Sequence, residues 1–518
     1  MTEPSTSQIQ HPNNERTPLI SNNTAVTPPP LIVNPRKRTL WPWIILVTLV
    51  VIGNIVVLFL LFEGVGTDTR QHFVDSYDPK SILKHIKVFE HIKAANGGGI
   101  TLGKGFNTSI DYIYNNIGKN SPCILYKQQF TVPNWELNKS PTFTKTKGSR
   151  KEFKLGEDFV VLPFGGKSTR IGSTRVLSVH SKECNADHYF GLKGRVAIIP
   201  HDPACNLYKF TKSAQEMGAV AVAYYTPKGQ TDLLSNYTLL PKDWDKGTEL
   251  IHIPTLSISY SAMQELLDDE LNSKVSITLD SIQEVTTSQN LICHVPGKDL
   301  DLEYGNPASV IVIGGHLDSY KVDESLGTES KEINNISGAS VLLEIVNTVK
   351  RSQFKPFNHL YFVWFGSRSF HSYGANHFVS NLNKNQPLTF NRTLMFLNLE
   401  DLDNQVPQVY DGKTLKFPSL RNSSSFLTRI MEEHFKENSL KYELVPINKR
   451  SGQDSLAFLD YGIPVGGLTS GEDKSIDDGT DKEDELYLKT LNNCAESLIT
   501  NIGALAINEH LKEIMNNY

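Results

Sequence analysis

The longest apolar stretch runs from Trp41 to Phe62, "WPWIILVTLVVIGNIVVLFLLF", and contains no charge. At about 1.5 Å per helical residue it spans roughly the 30 Å hydrocarbon core, which predicts one transmembrane helix. A cleaved secretory signal would be shorter, nearer the N-terminus and followed by small residues. In residues 79–96, Ile82, Ile86, Phe89 and Ile92 share one helical face, and "NGGG" ends that helix. Residues 131–156 are polar without a period and read as a linker. A compact unit follows over 157–275. In it, Arg195 to Pro200 predicts a strand, and Leu207, Phe210, Ala214 and Met217 recur at helical spacing. Gly218 then caps the helix before a second strand. After residue 290 apolar strands alternate with helical segments: "SVIVIGGHLDS", "SGASVLLEIVNTVK", "HLYFVWFGS", "LMFLNLEDL" and a closing helix from about Leu486. That alternation predicts an α/β sheet covered by helices on both faces.

The 518 residues are 39% hydrophobic and 21% charged with a net charge of -5, ordinary material for more than one core. No basic stretch is interleaved with aromatics, which argues against nucleic acid as a partner. Residues 1–38 are rich in Thr, Pro, Asn and Ser and read as a disordered tail. Arg36, Lys37 and Arg38 precede the apolar span, while Glu63 and Asp68 follow it. The positive-inside rule therefore puts the tail in the cytosol and the bulk in the lumen, a type II anchor in the lipid bilayer. Asn-x-Ser/Thr acceptors at Asn107, Asn138, Asn236, Asn335, Asn391 and Asn422 agree with a luminal glycoprotein. Five cysteines allow one or two bridges in an oxidising compartment. In the tail, "ERTPLI" resembles an acidic dileucine sorting signal carried by Glu15, Leu19 and Ile20. Cytosolic adaptor complexes read such signals, which implies an endosomal, lysosomal or vacuolar membrane.

The chemistry concentrates at "VIVIGGHLDSYKV". A buried strand that stops at two glycines delivers His316 and Asp318 to the sheet's carboxyl edge, where α/β folds build their sites. An imidazole with a carboxylate two residues on is half of a metal site.

Taken with this motif, "ANGGGITLGKGFNTSIDYI" (Ala95 to Ile113) and "GQDSLAFLDYGIPVGGLTSGED" (Gly452 to Asp473) resemble peptidase family M28. That family comprises zinc aminopeptidases, here of the aminopeptidase Y group, with an inserted protease-associated (PA) domain. The resemblance implies an M28-type mixed sheet flanked by helices, contributed by residues 79–150 and 285–510. The PA domain corresponds to 157–275, and Cys184 and Cys205 occupy positions often bridged in it. Closing a loop of about 20 residues would contribute roughly 3 kcal/mol. The type II form resembles the transferrin receptor branch of the family, without room for that receptor's helical dimerisation domain.

Active members hold two zinc ions and use a glutamate as general base. Carried over residue by residue, His316 matches a zinc-binding histidine and Asp318 the carboxylate that orients it. Glu400 stands at an aspartate ligand position. The remaining roles are lost. Asn334 stands where the bridging aspartate belongs, and Arg368 and Ser369 replace the general base and its neighbouring ligand. No histidine occurs from Gly471 to Leu491 for the last ligand. A guanidinium cannot accept a proton at neutral pH. At about 5 Å from a dication it would be repelled by roughly 6–7 kcal/mol at an effective dielectric of about 20. Glu332, Asp401, Asp403, His371 and His377 lie nearby in sequence, with surface or helix-cap roles expected for each. A glycan on Asn335 would crowd the former cleft. The resemblance thus implies a pseudopeptidase with a binding or adaptor role for an unidentified luminal ligand, and no cofactor. The alternative is an active aminopeptidase with atypical ligands, which would require zinc.

Overall fold

The computed structural model describes residues 67–517 except 104, 119–120, 180–183, 185, 187–189, 229–232, 236, 242–243, 245–246, 269–272, 299–306, 322–331, 334, 369–371, 403–405, 449–451 and 471–480. The tail 1–38, the apolar segment 41–62 and the motif at Glu15, Leu19 and Ile20 lie outside the described residues. Among those described, no helix is long and apolar enough to cross a membrane.

Helix α1 (Pro79–Ala95) starts where the Asp78 carboxylate accepts the Lys80 N–H at 3.1 Å, with Pro79 at its first position. It buries Ile82, His85, Phe89 and Ile92. The apolar pattern had Ile86 in that stripe. His85 is the more buried because its Nδ1 lies 2.7 Å from the Tyr112 hydroxyl on helix α2 (Phe106–Ile117), which satisfies a polar ring inside the core.

Residues 131–156 are not a linker. Strand β1 (Ile124–Lys147) pairs antiparallel with β2 (Lys274–Val295), from Ile124 opposite His294 to Lys147 opposite Lys274. Most of its side chains are at least partly exposed, so its composition is polar. The main-chain ladder holds it, and hydropathy does not register a ladder. A Cys123–Cys293 disulfide ties the start of this ribbon across 170 residues.

The ribbon carries the inserted unit. Strands Thr169–Ser178, Val196–Pro200, Ala221–Tyr225 and Thr255–Ile258 are parallel neighbours, with Phe159–Val161 antiparallel beside the last. Helix Leu207–Glu216 begins at Asn206, whose side chain accepts the Lys209 N–H at 3.0 Å, and buries Leu207, Phe210 and Ala214. Cys184 and Cys205 are joined. Because β2 pairs with Thr169–Ser178 and also with the main sheet, one sheet runs through both parts.

The main sheet contains β3 (Val310–His316), β4 (His359–Phe365), β5 (Thr393–Glu400) and β6 (Val465–Thr469) in the order β6-β5-β3-β4-β2. Its first four strands are parallel and β2 is antiparallel to β4. Every residue of β3 and β4 is buried, as a sheet covered on both faces requires. Helix α3 (Ile336–Ser352) contributes to one core and helix α4 (Gln453–Leu459), through Ala457 and Phe458, to the other. Gly315 lets β3 approach β5. A Cβ there would strike the Leu399 carbonyl and come within 2.9 Å of the Asn335 amide. The parallel register leaves His316, the turn after Phe365, Glu400 and Thr469 on one edge.

Candidate functional site

His316 ends β3 with 1% of its surface exposed. Its Nδ1 lies 3.0 Å from the main-chain oxygen of Asp318. That contact makes Nδ1 the donor and turns Nε2 towards Glu400 Oε1, 3.5 Å away. The orienting group is thus a peptide carbonyl. The Asp318 carboxylate is used elsewhere: it accepts the Ser367 N–H at 3.3 Å and the Arg368 N–H. Ser367 has φ of 59°, and the carboxylate secures this left-handed turn after β4.

Arg368 follows directly, and its guanidinium forms an ion pair with Glu400 Oε1 inside the protein, with side-chain exposures of 5% and 4%. Glu400 Oε2 is held as firmly. It accepts the Gly452 N–H at 2.9 Å, the Asn398 amide at 3.2 Å and the Tyr410 hydroxyl at 3.3 Å. Burial alone would raise the Glu400 carboxyl, but Arg368 and His316 beside it hold it well below the usual carboxylate range. For Arg368, burial opposes the charge, and Glu400, Asp454 and Asp401 more than restore it. Tyr410 is pushed up by burial and by the Glu400 charge, so it stays a donor.

Asn335 is fully buried, and its amide joins three chain segments. Nδ2 donates to the carbonyls of His316 at 2.8 Å and Leu399 at 3.0 Å, while Oδ1 accepts the Asp401 N–H at 2.9 Å. Both amide hydrogens of Asn335 are engaged in the core, so the folded chain presents no free amide at this sequon. Asn107, Asn138, Asn391 and Asn422 are exposed; Asn236 lies outside the described residues. So do Asn334, Ser369, Asp403, His371 and the side chain of Glu332. His377 packs its ring against Phe130 at 4.9 Å. Asp401, expected at the surface, is half-buried and contributes to the negative field around Arg368.

One residue of the cluster carries no weight in the motif reading. Asp454, in the first turn of α4, is 0% exposed, and the Ser372 side chain bears on its carboxyl as a hydrogen-bond donor. It interacts electrostatically with His316, Glu400 and Arg368. Burial raises its carboxyl, against the pull of His316 and Arg368. The helical spacing of α4 beside an acidic residue on a buried face could have revealed it. A carboxyl raised in the fold gives stability that is complete below its unfolded value near 3.8 and lost as pH rises through the folded one. Asp454→Asn should therefore be more stabilising at pH 7 than at pH 4, by about 1–2 kcal/mol, in paired urea titrations.

A dinuclear zinc centre does not fit these residues. Glu400 Oε1 is bonded to a permanent cation, the Asn335 amide presents hydrogens to carbonyls, and Arg368 brings positive charge to the place that would receive dications. Among the described residues, no group of three or more His, Cys, Asp or Glu could hold a metal ion.

Residues 298–502 match Peptidase family M28. Aminopeptidase Y of Saccharomyces cerevisiae is 26% identical over 259 residues, 49% of this chain and 42% of that protein. Among solved structures, an aminopeptidase from Aneurinibacillus sp. strain AM-1 superposes with a TM-score of 0.60 at 17% identity, covering 85% of this chain and 96% of that one. A zinc aminopeptidase from Bacillus subtilis superposes with a TM-score of 0.51 at 16% identity, over 84% and 96% of the two chains. The fold is that of the M28 aminopeptidases. The chain is M28 aminopeptidase-like and homologous to aminopeptidase Y, which it matches over less than half of that protein's length.

Proposed function

We propose that this is a single-pass type II membrane glycoprotein whose M28-like luminal part binds a peptide or protein ligand without hydrolysing peptides. The observation that carries this reading is the buried pair of Arg368 with Glu400. A guanidinium cannot act as general base, and losing a positioned base alone costs about 10²–10⁴ in rate. The parallel strands and helices between β1 and β2 support reading the inserted unit as a PA domain.

The full-length protein, purified in detergent, should not hydrolyse amino-acid nitroanilides with or without added zinc. Turnover abolished by a chelator would instead make it a working aminopeptidase, as the names of its relatives suggest.

Location rests on the sequence: the uncharged run 41–62 supports the anchor, and Glu15, Leu19 and Ile20 support delivery to an endosomal, lysosomal or vacuolar membrane. Replacing Leu19 and Ile20 by Ala should move the protein to the cell surface or an earlier compartment in fluorescence imaging. Unchanged distribution would remove the sorting role.

A further inference from the structure

We propose that the outer edge of β1 pairs with the same edge of a second copy, two-fold and antiparallel, so that one sheet continues through both chains. This goes beyond the reading of the pocket and holds whether or not the pocket hydrolyses peptides.

The edge itself carries the case. Among the described residues, the main chain from Ile124 to Val132 pairs with β2 alone. Every second residue therefore directs an N–H and a carbonyl outward with no protein partner. Natural edges are guarded by proline, bulges or charged side chains. This one runs unbroken as "ILYKQQFTV" between Pro122 and Pro133. Its ladder stays in register there, with shifts only after Leu137. Its one charge, Lys127, is turned to Asp111 on helix α2 at 2.7 Å. Ile124, at one end, leaves 58% of its surface to solvent. The rings of Tyr373 and His377 pack on Phe130, so the edge is held in place before any partner arrives.

The stretch is also self-complementary, which selects a second copy over an unrelated strand. A two-fold centred on Gln128 sets Ile124 opposite Val132, Leu125 opposite Thr131, Tyr126 opposite Phe130 and Lys127 opposite Gln129. Apolar and aromatic side chains then meet across the strands, and no like charges do. Centring on Lys127 would set that cation against itself. The nearest acceptor asparagines, Asn107 beside Gln289 on the inner strand and Asn138 beyond Pro133, lie off the paired stretch.

The experiment is disulfide trapping of the full-length protein in isolated membranes, with a mild oxidant and non-reducing electrophoresis. Gln128→Cys should give a covalent dimer, because residues directly opposite have Cβ atoms about 4.5–5.5 Å apart. Thr131→Cys, roughly 20 Å from its own copy in this register, should give at least ~5-fold less. Adding Gln129→Lys to Gln128→Cys sets like charges opposite at both ends of the two-fold and should lower the yield about 2–20-fold. Gln129→Glu should not lower it. Equal yields at positions 128 and 131, or a yield unmoved by Gln129→Lys, would overturn the proposal. So would a Gln128→Cys chain that stays monomeric or links to a protein of another size. Gln128 accepts a hydrogen bond from Asn290 at 2.9 Å. If Gln128→Cys fails to fold, Lys127→Cys and Gln129→Cys chains are co-expressed, and the mixture should link at least ~3-fold more than either alone. A mixture that links no more than either alone overturns the proposal.

Discussion

Arg368→Ala should destabilise the protein by about 3–5 kcal/mol, the usual cost of removing one partner from a buried ion pair. The figure belongs to Glu400. Its Oε1 would lose the Arg368 charge and sit in the core with His316 Nε2 at 3.5 Å. The second oxygen stays tied to Gly452, Tyr410 and Asn398, so the carboxylate cannot swing out to water. The loss should change little between pH 7 and pH 5. Glu400 is held well below the ordinary carboxylate range, so the pair's contribution is present above the unfolded value near 4.5 and lost only as pH falls through the folded one. The difference between Arg368→Ala and the unaltered protein should therefore persist at the pH of an acidic organelle. Urea denaturation at pH 7 and pH 5 measures it. Equal stability of the two proteins at pH 7 would mean that the pair contributes nothing.

A second large effect is expected from Asn335→Asp, a change that adds a carboxylate next to the lost bridging position. It should not restore a metal site. It should cost roughly 3–5 kcal/mol, because two carbonyls lose their donor at about 1–3 kcal/mol each and a carboxylate oxygen replaces that donor. The Leu399 and His316 carbonyls would face that oxygen at the present hydrogen-bond separations of 3.0 and 2.8 Å. Protonation relieves part of the repulsion, so the penalty should be smaller at pH 4 than at pH 7. Thermal unfolding at the two pH values checks both statements, and an unchanged melting temperature at pH 7 would contradict them.

The two substitutions show how unevenly the sequence discloses the structure. The strand that ends in Gly314, Gly315 and His316 is legible because a buried parallel strand reads as a continuous β-branched run, and the turn after it needs no distant partner. The amphipathic helices in the inserted unit are legible for the same local reason. The β1-β2 ribbon is not. Its stability comes from main-chain pairing between residues more than a hundred positions apart, and its half-exposed side chains look like those of a loop. The Cys123–Cys293 bridge depends on that same pairing and has no local pattern.

At the site, Arg368 and Glu400 were each visible as departures from a family pattern, but their meeting was not. They leave β4 and β5, the two neighbours of β3, and converge only because the parallel register brings both ends to one edge. The roles of Asp318 and Asn335 are displaced for a related reason. Both side chains hold main-chain groups of neighbouring segments, a use that a motif cannot announce. Asp454 escaped because an acidic residue in the first turn of a short helix ordinarily reads as a favourable helix-dipole partner.

The most direct test of the central claim, that a side-chain cation replaces metal at this edge, is the zinc content of the purified full-length protein. Elemental analysis should find far less than one zinc per chain after dialysis against micromolar zinc. Two zinc ions per chain, retained through dialysis and removed only by a chelator, would contradict it.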